Sequence, residues 1–535
     1  MIKKIEMKLI NMKIHHNQPF QYYNYLIFIA TLLFATLLCW GVSGNQPHVH
    51  DILLIWVIIN FLWLKPIVFK LLSPLFLVWI LFFPIGLQYG YPTSAMIFSA
   101  LETNRNEVTE FFDPFTLWIY LGIIILTLII LFLTKKIRAT HKQRQFFYWF
   151  SIILILVFIG SIIPIKHSYF KWHFSKILNI IPYTTTSYHF YKNYQNNLQE
   201  LSKKPIDWQI STYAPKYKNH VFVLGESMSK YYMSSYGYPV KTTPFLDNVN
   251  GVKYNQFISP AGHTTTSVPR LLTIPNPQRV EFQYSIFSLA NQAGIETYWI
   301  SNQEHVGVFD NEVSYIASQA NHVYFYGDHA PTKTHRLDHE MLAEIEKAIN
   351  SPSDKPKFIA IHLMGSHPRF VKRLDNKRPR FYFDNDDLAD YLSTIYQTDM
   401  FLKEIYQLLH TANKDNNQPF SMMYTSDHGL HQTKIKHDDT QFTLRTPLFK
   451  LSSDDSERIE NNTPQAGYGF VWFLADWLGI KTHNQTRNTF LSKTEQENPD
   501  DIPIFFEHTQ AYGNLTPFDG QLLMPKADEI QAPPK

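Results

Sequence analysis

In His220-Val221-Phe222-Val223-Leu224-Gly225-Glu226-Ser227 a short apolar run stops abruptly at a glycine, a carboxylate and a hydroxyl. Its length and its β-branched and aromatic content read as a strand buried on both faces. Ile295 to Ile300, Lys357 to Leu363, Phe420 to Thr425 and Pro447 to Leu451 repeat the pattern. Between these runs, Ser285 to Ala293, His335 to Asn350, Leu388 to Thr411 and Gly467 to Leu478 carry helical spacing. Strands alternating with helices predict an α/β domain, a mostly parallel sheet sandwiched by helices, with ligands beyond the carboxyl ends of the strands.

Those ends carry the chemistry. The first strand runs into Gly225-Glu226-Ser227, the third into His362-Leu363-Met364-Gly365-Ser366-His367, and the fourth into Ser426-Asp427-His428-Gly429. Carboxylates and imidazoles thus converge from three strands on one edge, the donor types that Zn²⁺ takes. Glu226, Asp427 and His428 are the candidate ligands. The only cysteine is Cys39, so no thiolate cage and no intramolecular disulfide forms, and any metal rests on His and carboxylate. A nucleophile is offered by His263-Thr264-Thr265-Thr266-Ser267-Val268-Pro269, hydroxyls ahead of the helical run Arg270 to Thr273. A helix N-terminus favours a phosphate, and a divalent metal lowers a hydroxyl's pKa. The same threonines would also serve as ordinary helix caps, and spacing alone does not choose among the three.

Outward from this domain the composition splits. Of 535 residues, those up to Ile165 hold 12 Lys/Arg against 6 Asp/Glu and are mostly apolar; from Lys166 onward there are 36 against 39. A near-neutral soluble part excludes a basic nucleic-acid binder and a disordered polymer. Five apolar stretches, Tyr22 to Trp40, Ile52 to Leu64, Leu71 to Leu87, Phe115 to Leu133 and Phe147 to Ile165, predict five membrane spans, the second of them short. Basic clusters at Lys3 to Lys13, Lys65 and Lys70, and Lys135 to Arg144 fall on one side if all five cross, which puts the N-terminus in the cytoplasm and the soluble domain outside. Aromatic residues among lysines from Tyr169 to Tyr194 suit the headgroup level. The expected division is a transmembrane domain at 1–165, an interfacial linker at 166–215 and a catalytic domain at 216–535.

Val223-Leu224-Gly225-Glu226-Ser227-Met228-Ser229, followed by Tyr236-Gly237-Tyr238-Pro239 and Thr242-Thr243-Pro244, resembles the bacterial phosphoethanolamine transferases of the alkaline-phosphatase and sulfatase superfamily. The Thr-Thr-Thr-Ser-Val-Pro, His-Leu-Met-Gly-Ser-His and Ser-Asp-His-Gly strings match in the same order, and the likeness covers essentially the whole chain. It implies a membrane-embedded enzyme of the bacterial inner membrane, its catalytic domain periplasmic, that moves phosphoethanolamine from phosphatidylethanolamine to lipopolysaccharide or another periplasmic glycan through a covalent phosphothreonine. It implies zinc ligation by Glu226, Thr264, Asp427 and His428, with Thr264 the nucleophile because it lies four residues before Val268-Pro269. It further implies that His367 and His437 contact the substrate phosphate as imidazolium groups. His362 matches a site histidine more loosely and reads equally as a packed strand residue.

The chain departs from the family in three places. It lacks the soluble-domain disulfides of the lipid A-modifying, polymyxin-resistance type, which turns the resemblance toward the cysteine-poor branch acting on core sugars, periplasmic glucans or surface proteins. After Asp427-His428-Gly429 stand Leu430 and His431 where relatives have a glutamate. Ser301-Asn302-Gln303-Glu304-His305 occupies the region of a substrate-contacting lysine, leaving Asn302 and His305 as candidates. A second zinc, held by His367, His431 and His437, is an open expectation. Ser267-Val268-Pro269-Arg270 is one residue short of the sulfatase modification motif, which disfavours a sulfatase; a phosphoglycerol transferase or a phosphodiesterase remains as the alternative.

Overall fold

The computed structural model describes residues 29–42, 49–63, 75–89 and 117–134, single helical positions between 67 and 192, and 206–276, 279–303, 312–329, 337–375, 380–430, 440–483, 498–506 and 508–526. The chain divides into two compact units, Met1–Phe190 and Tyr191–Lys535.

In the first unit, residues 29–42 are helical, followed by α1 (Val49–Trp63), α2 (Leu75–Tyr89) and α3 (Leu117–Thr134). They fall on the first four apolar stretches. Phe34, Leu38, Ile55, Ile59, Phe76, Ile80, Phe83 and Leu126 pack together, while Leu33, Leu81, Ile124, Leu128 and Leu131 remain exposed. Helices apolar on every side suit a non-aqueous surrounding. Among the described residues no helix is long and apolar enough to cross a membrane; α3, at 18 residues, rises about 27 Å against the ~30 Å of a hydrocarbon layer. Most of the fifth stretch and of the 166–215 linker lies outside the described residues.

The second unit is built on an eight-stranded sheet: β1 (Asn219–Gly225), β2 (Gly251–Tyr254), β3 (Glu296–Ser301), β4 (His322–Phe325), β5 (Lys357–His362), β6 (Phe420–Ser426), β7 (Leu448–Ser452) and β8 (Arg458–Asn461), in the order β8-β2-β7-β6-β1-β5-β3-β4. All run parallel except β7, which is antiparallel to both its neighbours. The strand read from Pro447 to Leu451 is therefore present but reversed. Every residue of β1 is buried, because helices cover both faces. Phe222 and Leu224 point to one core, with α4 (Thr264–Leu272), α5 (Ile286–Gln292) and α8 (Phe470–Trp477). Val221 and Val223 point to the other, with α6 (Leu342–Asn350) and α7 (Asp386–Asn416). Ser285 caps α5 by accepting from Ser288 N, and Asn385 caps α7 by accepting from Leu388 N at 3.0 Å. Strands β2, β4 and β8 escape the sequence reading. They are four residues long, lie toward the sheet's edges, and mix Lys, His, Arg and Glu with apolar residues.

Candidate active site

The register of the central strands sets the site. Gly225 of β1 pairs with Ser426 of β6, so the residues that follow, Glu226 and Asp427, leave adjacent parallel strands at the same height. Gly225 admits the Tyr424 hydroxyl, which a Cβ would meet at 2.9 Å. Ser227 then adopts φ +57, and its N–H donates to Asp427 Oδ1 at 3.2 Å, alongside the His428 N–H at 2.7 Å. Two backbone donors occupy one carboxylate oxygen. The other, Oδ2, is buried without a hydrogen-bond partner, 3.4 Å from His428 Nε2. His428 Nδ1 lies 2.9 Å from Gly429 O, an acceptor, so Nδ1 carries a proton and Nε2 is the nitrogen turned toward the carboxylates.

Thr264, first residue of α4, completes the cluster. Its Oγ1 donates to Glu226 Oε2 at 2.8 Å and lies 3.4 Å from His428 Nε2. Thr266 Oγ1 instead donates back to His263 O at 3.0 Å, and Thr265 Oγ1 is buried without a partner. Tertiary structure thus distinguishes the three threonines. Ser267 Oγ donates to Asp427 O at 2.6 Å, and Ser259 Oγ bonds the same carbonyl. These two serines hold the Asp427 backbone from behind, a role with no sequence signal beyond their hydroxyls.

The cluster fits a zinc ion. One ligand atom each from Glu226, Asp427 and His428 lies within 4.8 Å of the others, and the His428 Nε2 distances to Glu226 Oε1, Asp427 Oδ2 and Thr264 Oγ1 are 3.5, 3.4 and 3.4 Å. Donors bonded at ~2.0–2.1 Å in a tetrahedron stand about 3.3–3.4 Å apart. Glu226 is 1% exposed, Asp427 and His428 0%. Burial, then the Asp427 charge, push the Glu226 carboxyl up, and burial raises Asp427 as well. Two buried carboxylates and an unbonded oxygen ask for a cation.

The end of β5 supplies the flank. His362 is fully buried between β1 and β3, its ring centroid 5.3 Å from that of Trp299. Neither ring nitrogen is hydrogen-bonded, and burial pushes it down to about 3; it sits as a packed strand residue. His367 Nδ1 lies 3.3 Å from Pro368 O and 3.5 Å from Arg373 Nη2. Burial, then the Arg373 guanidinium, push its imidazole down to about 3, which favours the neutral form over the imidazolium expected there. Asn302 does not join the cluster: its Nδ2 donates to Asp338 Oδ1 at 2.8 Å. The next residue, Gln303, does, its Nε2 donating to Leu363 O at 2.7 Å and lying 3.4 Å from Glu226 Oε2. The sequence reading missed Gln303 because a glutamine in a strand-end loop carries no pattern. His305, His431 and His437 lie outside the described residues.

The Sulfatase family profile matches residues 218–480, from β1 to beyond α8. A provisional phosphoethanolamine transferase of Haemophilus influenzae is 31% identical over 380 residues, covering 68% of this chain and 75% of that protein. The chain belongs to the phosphoethanolamine transferase family. It is accordingly an enzyme, a phosphotransferase. The family member OpgE of Escherichia coli is 28% identical over 424 residues, covering 75% of this chain and 78% of its own. Among solved structures, the integral membrane lipooligosaccharide phosphoethanolamine transferase A of Neisseria meningitidis shares the fold with a TM-score of 0.60 at 16% identity, over 86% of this chain and 95% of its own. The periplasmic domain of Escherichia coli EptC, solved as a zinc complex, follows with a TM-score of 0.51 at 19% identity, over 57% of this chain and 96% of that one. The alkaline-phosphatase and sulfatase fold expected of such a transferase is the fold observed.

Proposed function

We propose that the enzyme takes phosphoethanolamine from phosphatidylethanolamine onto Thr264 and passes it to a hydroxyl of lipopolysaccharide, on a core sugar or lipid A. The observation carrying this reading is the Thr264 hydroxyl, the one of its run bonded to the carboxylate cluster, at the start of a nine-residue helix. Glu226, Asp427, His428 and the Thr264 hydroxyl would hold one zinc ion, which supplies the positive charge that makes an alkoxide accessible near neutrality and offsets charge on the phosphate. Glu226 Oε2 orients the hydroxyl oxygen through its 2.8 Å hydrogen bond. The Thr264 oxygen bonds to phosphorus as the bond to the diacylglycerol oxygen breaks, and the proton that Thr264 gives up through Glu226 Oε2 is the one the diacylglycerol oxygen carries away. The positive end of the α4 dipole favours the anionic phosphate at this position. In the second half, a neutral imidazole at His367 is in the form that accepts a proton from the incoming hydroxyl. His437 is the further phosphate-contacting histidine of this reading, and a second zinc at His367, His431 and His437 belongs to it as well.

Five spans with a cytoplasmic N-terminus would keep the catalytic domain in the periplasm and at the bilayer surface, so that the donor's acyl chains stay in the membrane. The divisions 1–165, 166–215 and 216–535 are part of the same proposal. A lipopolysaccharide acceptor is supported by the lipooligosaccharide named for the Neisseria neighbour; other periplasmic glycans are the competing acceptors.

The test gives the detergent-purified chain phosphatidylethanolamine with a fluorescent acyl chain, then follows labelled diacylglycerol and the mass of the peptide bearing Thr264. Diacylglycerol release with a phosphoethanolamine adduct, both lost in Thr264→Ala, is expected. Release from phosphatidylglycerol alone would make the chain a phosphoglycerol transferase, and silence from both lipids with zinc bound would sink the lipid-donor reading. Adding purified lipopolysaccharide or a soluble glucan to the adduct identifies the acceptor.

A further inference from the structure

We infer that Asp338 is a positioning residue of this centre, holding the turn after β5 against the metal-ligating Glu226; the inference rests on the reading of the cluster as a zinc site. Asp338 lies on no strand end and in no motif of the sequence. It opens a short 3₁₀ turn, Asp338–Met341, ahead of α6. Its carboxylate nevertheless reaches the site's flank, where it accepts the Met364 N–H at 2.9 Å and the Asn302 amide at 2.8 Å on Oδ1, and the Gly365 N–H at 2.9 Å on Oδ2. Three donors on one carboxylate are charge-assisted bonds.

The turn so anchored is built into Glu226. Leu363 N donates to Leu224 O at 2.9 Å, and Ser366 N donates to Glu226 O at 3.0 Å. Gly365 adopts φ +47, and a Cβ on it would stand 3.0 Å from Glu226 N and 3.1 Å from Glu226 O, so turn and ligand backbone touch. His367 N closes the turn on Met364 O at 3.1 Å, which fixes where His367 begins. Leu363 O in turn accepts from Gln303, whose Nε2 faces Glu226 Oε2. Removing the carboxylate takes the acceptors from two consecutive N–H groups at a place where backbone outside the strands abuts the ligand. Glu226 and His367 then lose a fixed separation, and geometry of this kind sets metal affinity and rate. Asn302 thereby has an account: it braces Asp338.

The test uses the full-length chain in detergent, stripped of metal and titrated with zinc against a chromophoric chelator, beside turnover of fluorescent phosphatidylethanolamine. Asp338→Asn keeps the size but turns one acceptor into a donor facing an N–H. Zinc affinity and kcat are each expected to fall by about 10–100-fold. Asp399→Asn is the control, since Asp399 likewise accepts two backbone N–H groups, of Phe245 at 2.7 Å and Leu246 at 3.0 Å, in a different turn. It is expected to lower the melting temperature comparably while zinc affinity stays within about twofold. Equal zinc affinities for Asp338→Asn and the wild type, or equal losses in both variants, overturn the inference. Should Asp338→Asn not fold, Asn302→Ala carries the test: affinity at least about threefold weaker supports the inference, and unchanged affinity overturns it. Because zinc affinity is read without any lipid, a chain that ignores phosphatidylethanolamine yet shows these shifts refutes the donor and keeps the positioning role. A wild type that binds no zinc overturns both.

Discussion

Stripping the metal should make this enzyme's stability fall as pH rises, and Glu226 should be the cause. Burial, with the Asp427 charge beside it, lifts the Glu226 carboxyl from an ordinary 4.5 to about 8 in the metal-free fold. The folded chain then binds this proton more tightly than the unfolded chain, so the contribution is full below pH ~4.5 and is lost as pH climbs through about 8. At 1.36 kcal/mol per pH unit such a shift corresponds to about 5 kcal/mol, of which about 4 kcal/mol is lost between pH 5 and pH 8.5. A catalytic unit of about 345 residues has an unfolding entropy near 0.7 kcal/mol/K, so the midpoint should drop by about 5 °C between pH 5 and pH 8.5. Other buried groups titrate in the same window, Asp399 among them, raised to about 7 mainly by burial. The informative quantity is therefore the wild-type minus Glu226→Gln difference, since the amide does not titrate. Scanning calorimetry of the detergent-solubilised protein in chelator should show a difference curve falling with pH, and saturating zinc should abolish the fall, because a ligating carboxylate stays ionised throughout. A difference curve that is flat or rises in chelator would refute the claim that this carboxylate is destabilised by its burial and its neighbour.

Thr264→Ala should eliminate the covalent adduct, whereas Thr266→Ala, whose hydroxyl only bonds back to its own helix, should retain turnover within about fivefold; mass spectrometry of the active-site peptide separates the two. Gly365→Ala must place a Cβ 3.0 Å from Glu226 N at φ +47, so it should destabilise the fold by about 1–3 kcal/mol and weaken zinc binding in the same chelator titration. Phe222→Ala, in a strand with both faces covered, should cost about 3–5 kcal/mol in denaturant unfolding while leaving zinc affinity of the folded fraction unchanged. Removing residues 1–190 should leave zinc binding intact and abolish release of diacylglycerol from lipid vesicles, read by fluorescence.

The sequence by itself determined the α/β alternation, because β1, β3, β5, β6 and α5 to α8 are long or buried enough for their apolar spacing to dominate. It also placed Glu226, Asp427 and His428 at strand ends, since in a parallel sheet a carboxylate directly after an apolar run has one edge to go to. Short, polar strands such as Arg458–Asn461 carry no such pattern, and the reversal of β7 leaves no trace in composition. Spacing left the three threonines equal and only the family resemblance singled out Thr264; its bond to the carboxylates, that Asn302 bonds Asp338 while Gln303 faces Glu226, and that His367 rests beside Arg373 came from tertiary structure. The bonds of Thr264, Asn302 and Gln303 join residues 36 to 77 positions apart, where direction is set by packing of the intervening elements, and the His367–Arg373 contact spans six positions of an irregular turn; local periodicity encodes neither.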